Sequence, residues 1–319
     1  MDCSVNKVHG TALMRFKNSK QVDQNRLLKK TKYSSYINIP GKQINSINRG
    51  QGDELKVSVA DLRASRMEVL KKADRTIYLS YNFHEASNPE FYDDFFYSFK
   101  QVRGKKKLRT PKINNISLIF PVSPMLSQPQ DVDTSMFCNA ENLDPEIHCK
   151  DGFCSCYHSY QLNYGEEIDL FIIDEGLPWD VSHPFHLHGF HFKVSYIEIH
   201  VLNRLKLQVL AMERLGASPE HLYGKNGPGN NITRQMVIDR DMAGQIPRNL
   251  ISPPMKDTVV IPDAGYTLVR IQANNPGVWL MHCHMSWHNA IGMGVVFRVG
   301  RQQDWPDMPS NFPQCGDFV

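Results

Sequence analysis

Tyr266-Thr267-Leu268-Val269-Arg270-Ile271-Gln272-Ala273-Asn274-Asn275-Pro276-Gly277-Val278-Trp279-Leu280-Met281-His282-Cys283-His284 reads as a strand, a turn and a second strand. β-branched and aromatic residues dominate both arms, and Asn274-Asn275-Pro276-Gly277 is a strong turn signal between them. Short runs of the same character recur at Thr76–Tyr81, Ile116–Val122, Glu167–Ile173, Thr258–Ile261 and Gly294–Val299. Each is bounded by Pro, Gly, Asn or Asp. Many short strands with turn punctuation and no internal repeat predict an all-β chain built as an antiparallel sandwich.

The second arm runs into His282-Cys283-His284-Met285-Ser286-Trp287-His288 and on through Gly292 to Met293. Side chains alternate faces along a strand, so His282 and His284 point one way and Cys283 the other. One strand thus offers two imidazoles to one site and a thiolate to a second site behind it. His288 and Met293 follow at spacings that let a loop and a turn fold back onto that thiolate. A Cys with two His and a weak axial Met is the donor set of a blue-copper electron-transfer centre. The second His comes from His183-Pro184-Phe185-His186-Leu187-His188-Gly189. His186 and His188 share a strand face, while Pro184 holds His183 extended and sets it off from the strand proper. Six of the 13 histidines lie in these two windows; the others, including His191 and His200, read as structural.

The rest of the chain narrows the class. A length of 319 residues suffices for one large domain or two ordinary ones, with 41% hydrophobic and 22% charged residues. No apolar run approaches the roughly 20 residues that a membrane helix needs. The start, Met1-Asp2-Cys3-Ser4, lacks the pattern of a secretory signal peptide. The net charge of +3 does not suggest a nucleic-acid protein. The first fifty residues hold ten Lys/Arg against two Asp/Glu, and Arg103–Arg109 is a second basic run; both read as solvated segments. Cysteines number seven. Cys283 stands apart between its histidines. Cys3, Cys138, Cys149, Cys154, Cys156 and Cys315 read as disulfide formers of unreadable pairing, with a zinc site as the cytosolic alternative. Sequons at Asn115-Ile116-Ser117 and Asn231-Ile232-Thr233 lean toward secretion.

The two histidine-rich segments resemble those of multicopper oxidases (laccases, ascorbate oxidase and ferroxidases), most closely arthropod laccase-like enzymes. The likeness extends to Tyr78–Phe83, Phe120–Pro129, Ile246-Pro247-Arg248-Asn249-Leu250 and Asn311-Phe312-Pro313-Gln314-Cys315. It implies a Greek-key β-sandwich of the cupredoxin type over residues 73–319, as a third cupredoxin domain. Residues 1–16, through Ala12–Phe16, resemble the end of a second cupredoxin domain, and residues 17–72 read as a linker or a poorly ordered segment. By the same resemblance His183, Cys283, His288 and axial Met293 hold type 1 copper. His186 is a type 2 ligand, and His188, His282 and His284 are type 3 ligands. The implied activity is one-electron oxidation of phenolic donors at type 1 copper. Electrons then cross the Cys283 backbone to a trinuclear cluster that reduces O₂ to water. The expected location is extracellular.

The chain departs from that family in three places. The cluster is built from four His-x-His pairs, and only His186/His188 and His282/His284 occur here. The expectation is that a first cupredoxin domain is missing from an incomplete sequence, so the chain alone is inactive. Ser195–Gln208 interrupts two strand-like pieces and reads as a dispensable insertion. Ser286 stands where many relatives carry an acid, which alters the expected route of protons to oxygen. Two rival functions remain open: oxidation of Fe(II), favoured by Asp174, Glu175 and Asp180 upstream of His183, and an isolated blue-copper domain without oxidase activity.

Overall fold

The computed structural model describes residues 43–44, 56–57, 63–64, 67–86, 108–176, 182–189, 206–215 and 232–315. The strands that build the fold are β1 (Arg75–Ala86), β2 (Leu108–Ile113), β3 (Ile116–Leu118), β4 (Phe153–Leu162), β5 (Glu167–Asp174), β6 (His183–Leu187), β7 (Lys206–Arg214), β8 (Thr258–Ile261), β9 (Gly265–Gln272), β10 (Gly277–Cys283) and β11 (Gly294–Val299). Helix α1 (Arg234–Met242) precedes β8, and the short helix α2 (Ser286–Ala290) joins β10 to β11.

Hydrogen bonding runs in the order β7-β9-β5-β1-β2-β3-β4-β11-β10-β6-β8. The pairs β1/β5, β3/β4 and β4/β11 are parallel, so the chain crosses between layers, and the remaining neighbours are antiparallel. The ladder curls into two faces around one core. Ile77, Leu79, Ile168, Leu170, Val269 and Ile271 face Phe185, Leu187, Val259, Met281, Val295 and Phe297 across it. This is the all-β, cupredoxin-type sandwich expected from the sequence. Alternation along β10 and β6 decides which of their residues enter the core: Met281 and Cys283 pack there with Phe185 and Leu187.

A buried ionic network ties the β9–β5 layer to the segment before β8. The Arg270 side chain, 1% exposed, donates to Asp169 at 2.6 Å and to Glu167 at 3.0 Å, and Arg248 donates to Asp169 at 2.9 Å. Such pairing is what makes a guanidinium tolerable in an apolar interior. Arg270 also donates to the Lys71 carbonyl at 2.9 Å, and Leu70 is buried, so the end of the expected linker packs on the sandwich.

Several local expectations are corrected. The run Ile116–Val122 stops being strand at Leu118; Pro121 lacks a ladder donor, and Phe120 and Val122 are exposed. His183 is not set off from its strand: it opens β6, paired with Ile261 of β8. The proposed insertion overreaches, because Lys206, Leu207 and Gln208 belong to β7 in register with Gln272, Ile271 and Arg270. Gln208 is buried and its amide donates to Glu68 at 3.1 Å. Disulfides are present at Cys138–Cys156 and Cys149–Cys154, which fasten the segment before β4 to that strand. Cys315 is free and exposed. Cys3, the second-domain-like segment 1–16, most of 17–72, Arg103–Lys107, Asp180, His191, His200 and Asn231 lie outside the described residues.

Candidate metal centre

On the core side of β6 and β10, three ligand-type side chains converge. Cys283 Sγ lies 3.7 Å from His183 Nδ1 and 3.6 Å from His288 Nδ1. Among the described residues this is the one group of three His, Cys, Asp or Glu side chains whose ligand atoms all lie within 4.8 Å of one another. Each residue arrives by a separate element: His183 opens β6, Cys283 closes β10, and His288 sits on α2. Met293, fully buried, follows the turn after α2; its N–H donates to the His288 carbonyl at 2.9 Å and its carbonyl accepts from Cys283 N–H at 3.0 Å. Two backbone bonds therefore hold that methionine beside both ligands. Gly292 makes the turn possible. Its φ is +94°, and a β-carbon there would run into Ser117 Oγ and the Leu118 backbone.

The spacing suits a metal. A first-row ion with metal–sulfur and metal–nitrogen bonds of about 2.3 and about 2.0 Å, centred in a flat S,N,N triangle, separates sulfur from nitrogen by about 3.7 Å. Burial keeps these groups in their uncharged forms. It pushes the Cys283 thiol up to about 11, opposed by the Met285 backbone N–H, and pulls His288 down to about 4. Burial, helped by the neighbouring His288, pulls His183 down to about 3. Neutral imidazoles are ready ligands, whereas the thiol must release its proton.

Behind this triad a second face carries four imidazoles. His186, His188, His282 and His284 have ring centroids 5.0 to 5.8 Å apart around the group. His188 Nε2 and His282 Nε2 approach to 3.1 Å. His186 Nδ1 meets the Asp257 carbonyl at 3.0 Å and Thr258 Oγ1 at 3.1 Å. A carbonyl only accepts, so Nδ1 carries the proton and Nε2 bears the lone pair. His282 Nδ1 stands likewise 2.9 Å from the Cys283 carbonyl. Burial, then the neighbouring imidazoles, lowers the His188 pKa. His188 and His284 are exposed, so this cluster opens onto the surface, whereas in the triad His183 and Cys283 are buried and His288 is partly exposed.

Sequence reasoning thus named the residues of both groups. It did not single out Tyr81 and Phe83 as packing against the triad. Tyr81 stands edge-on to His183 at 5.2 Å, and Phe83 lies against His288 at 4.9 Å and His183 at 5.4 Å. Their i, i+2 spacing on one strand was the available signal. Two of the three acids upstream of His183 lie among the described residues, and both are engaged by neighbouring groups. Asp174 is fully buried and accepts from Tyr81 Oη at 3.0 Å, and burial raises its pKa to about 8. Glu175 accepts from Asn82 Nδ2 at 2.7 Å and from Arg234 N–H at 3.2 Å.

The multicopper oxidase family model matches residues 121–203 and 228–303, which include all eight of these ligand-type residues. Over those segments the chain belongs to the multicopper oxidase family. Rice (Oryza sativa subsp. japonica) Laccase-6 is 35% identical over 133 residues, covering 39% of this chain and 22% of that protein. Arabidopsis thaliana Laccase-13 is 26% identical over 221 residues, covering 65% of this chain and 32% of that protein. The chain therefore spans about a fifth to a third of these relatives. Among solved structures, the laccase from Botrytis aclada aligns at 20% identity and TM-score 0.48, covering 78% of this chain and 32% of that one. Fet3p, a multicopper oxidase that functions in iron import, aligns at 18% identity and TM-score 0.45, covering 77% and 36%. The family match also runs through Ser195–Asn203, so the expected insertion is not foreign to the family over that stretch.

Proposed function

We propose that this chain is the copper-binding C-terminal part of a laccase-type oxidoreductase, acting on small phenolic donors with O₂ as acceptor. The observation that carries it is the Cys283, His183 and His288 triad placed back to back with four imidazoles through one strand. In this reading His183, Cys283, His288 and Met293 hold a type 1 copper, His186 a type 2 copper, and His188, His282 and His284 a type 3 pair. Copper bound there would supply one-electron oxidation of the donor and reduction of oxygen to water. The protein's own residues fix the donor set, exclude water from Cys283, and keep His183 and His288 neutral. Residues 73–319 form the third cupredoxin domain, 17–72 a connecting segment and 1–16 the tail of a second domain. A likeness to arthropod laccase-like enzymes is part of this reading, beside the plant laccases that the sequence matches.

The open imidazole face supports a further point. Four imidazoles make half of such a cluster, and the other half belongs to another cupredoxin domain bringing two more His-x-His pairs. Two disulfides support an oxidising, extracellular setting. Iron(II) as donor is the second reading, but Asp174 is buried beneath Tyr81 and Glu175 is engaged by Asn82 and Arg234, which favours an organic donor. The test is oxygen uptake by the copper-loaded chain with a phenol or with Fe(II). No steady turnover is expected from the chain alone, and turnover with the phenol when a domain bearing the other two pairs is supplied. Four-electron turnover by the chain alone would refute the half-site.

A further inference from the structure

The indole of Trp279 lies where the backbone of Gly189 leaves no room for anything else. Gly189 has φ +86°, and a β-carbon on it would come within 2.6 to 2.9 Å of three atoms of the six-membered ring of Trp279. The ring is fixed from its other end, because Nε1–H donates to the Asn275 carbonyl at 2.9 Å. Beyond the Gly189 contact, away from Asn275, runs the ladder of β6 and β10. Phe185 pairs with Cys283, His186 with His282 and Leu187 with Met281, and the His188 N–H donates to the Leu280 carbonyl at 2.9 Å. Trp279 therefore faces the residue that follows His188, two steps beyond the last strand pair.

We propose that Trp279 is a positioning residue for His188: its indole face is the surface on which the left-handed Gly189 turn is laid, and that contact sets the approach of His188 to His282. The physical reason is the exposure of His188. An imidazole at a strand end, with solvent on one side, has several rotamers and a fraying backbone available to it. Here its Nε2 is nevertheless held 3.1 Å from His282 Nε2. The His188 N–H bond to Leu280 fixes one point of the turn, and one point leaves a hinge. The flat ring under Gly189 supplies the second point and removes the hinge. Only glycine fits both the positive φ and the ring contact, which explains the His-Gly pair in chemical terms. Trp279 and His282 lie on the same strand, so the two halves of the pair are set from one element.

This inference rests on the reading of His188 as a ligand, and its test is made without metal so that the two stand apart. The full chain, labelled with ¹⁵N at histidine, is compared with Trp279→Ala, Trp279→Phe and Gly189→Ala. The readouts are the nuclear Overhauser contact between the His188 and His282 rings and the amide exchange of His188. The contact between the His183 and His288 rings, whose centroids are 5.0 Å apart, reports on the rest of the site. Trp279→Ala and Gly189→Ala should each abolish the His188–His282 contact and speed His188 exchange at least tenfold, with the His183–His288 contact kept. Phenylalanine, which supplies a face without the N–H, should restore the parent pattern. An unchanged His188–His282 contact in both disrupted variants would overturn the proposal. So would its loss in step with the His183–His288 contact, which would make Trp279 a general core residue. A thiolate–copper spectrum that fails to form in the parent chain would instead count against the proposed function.

Discussion

Cys283 is the residue on which most of the chemistry turns, and its protonation gives a direct expectation. Burial holds the thiol up to about 11 while His288 and His183 stay neutral above about 4 and about 3. Between pH 5 and 9 only the thiol proton competes with a metal. Apparent affinity for a thiolate-bound ion should therefore rise about tenfold per pH unit across that range. A titration followed by the thiolate–metal band checks the slope; a flat profile would mean that the thiol is already ionised. Asp174 gives a second expectation. Its folded pKa of about 8 is raised above an ordinary carboxyl by burial first, so the folded state binds the extra proton. The stability it contributes is present below the ordinary carboxyl value of about 4 and is lost as pH rises toward 8. Asp174→Asn should remove that decline, so that melting temperatures at pH 5 and pH 8 differ less than in the parent. An unaltered or larger difference would contradict the assignment.

At the scale of elements, the junction of α2 and β11 against β3 is the most constrained part of the site. Leu118 N–H donates to the Gly292 carbonyl at 3.0 Å, and Ser117 Oγ donates to the Ile291 carbonyl at 3.2 Å. Gly292→Ala should force β3 and the turn apart, lower the melting temperature by several degrees, and weaken the thiolate–metal band because Met293 and His288 shift together. A variant that melts and absorbs like the parent would show that the turn is looser than its contacts indicate. Much of this was legible beforehand. The strands at Thr258–Ile261 and Gly294–Val299 carry β-branched runs between turn residues and appear with those bounds. β4 carries no strand signal because Ser155, His158, Ser159 and Gln161 make it look polar, although Cys156–Tyr160 are buried on both faces. α1 escaped because Met236, Val237 and Ile238 are consecutive and only Val237 is buried, leaving no helical period. Proline's effect on the preceding residue reads His183 as off its strand, and only the pairing with β8, which the sequence does not display, keeps it in the ladder.

For the whole molecule, the sequence marked both ligand groups because His and Cys are sparse and their spacing carries geometry. What it did not mark is how they are supported, since Tyr81, Phe83, Asp257 and Trp279 become relevant only once distant strands are side by side. The sandwich puts a largely buried, neutral S,N,N group and an open face of four imidazoles on opposite sides of β10. The central claim is that the buried group is a thiolate-bound copper site. It is tested most directly by the optical spectrum of the copper-loaded chain beside that of Cys283→Ser, with copper counted in both. Strong absorption in the red that is present in the parent and absent in the variant is expected. Copper bound by the parent without that band, or the same band surviving in Cys283→Ser, would contradict it.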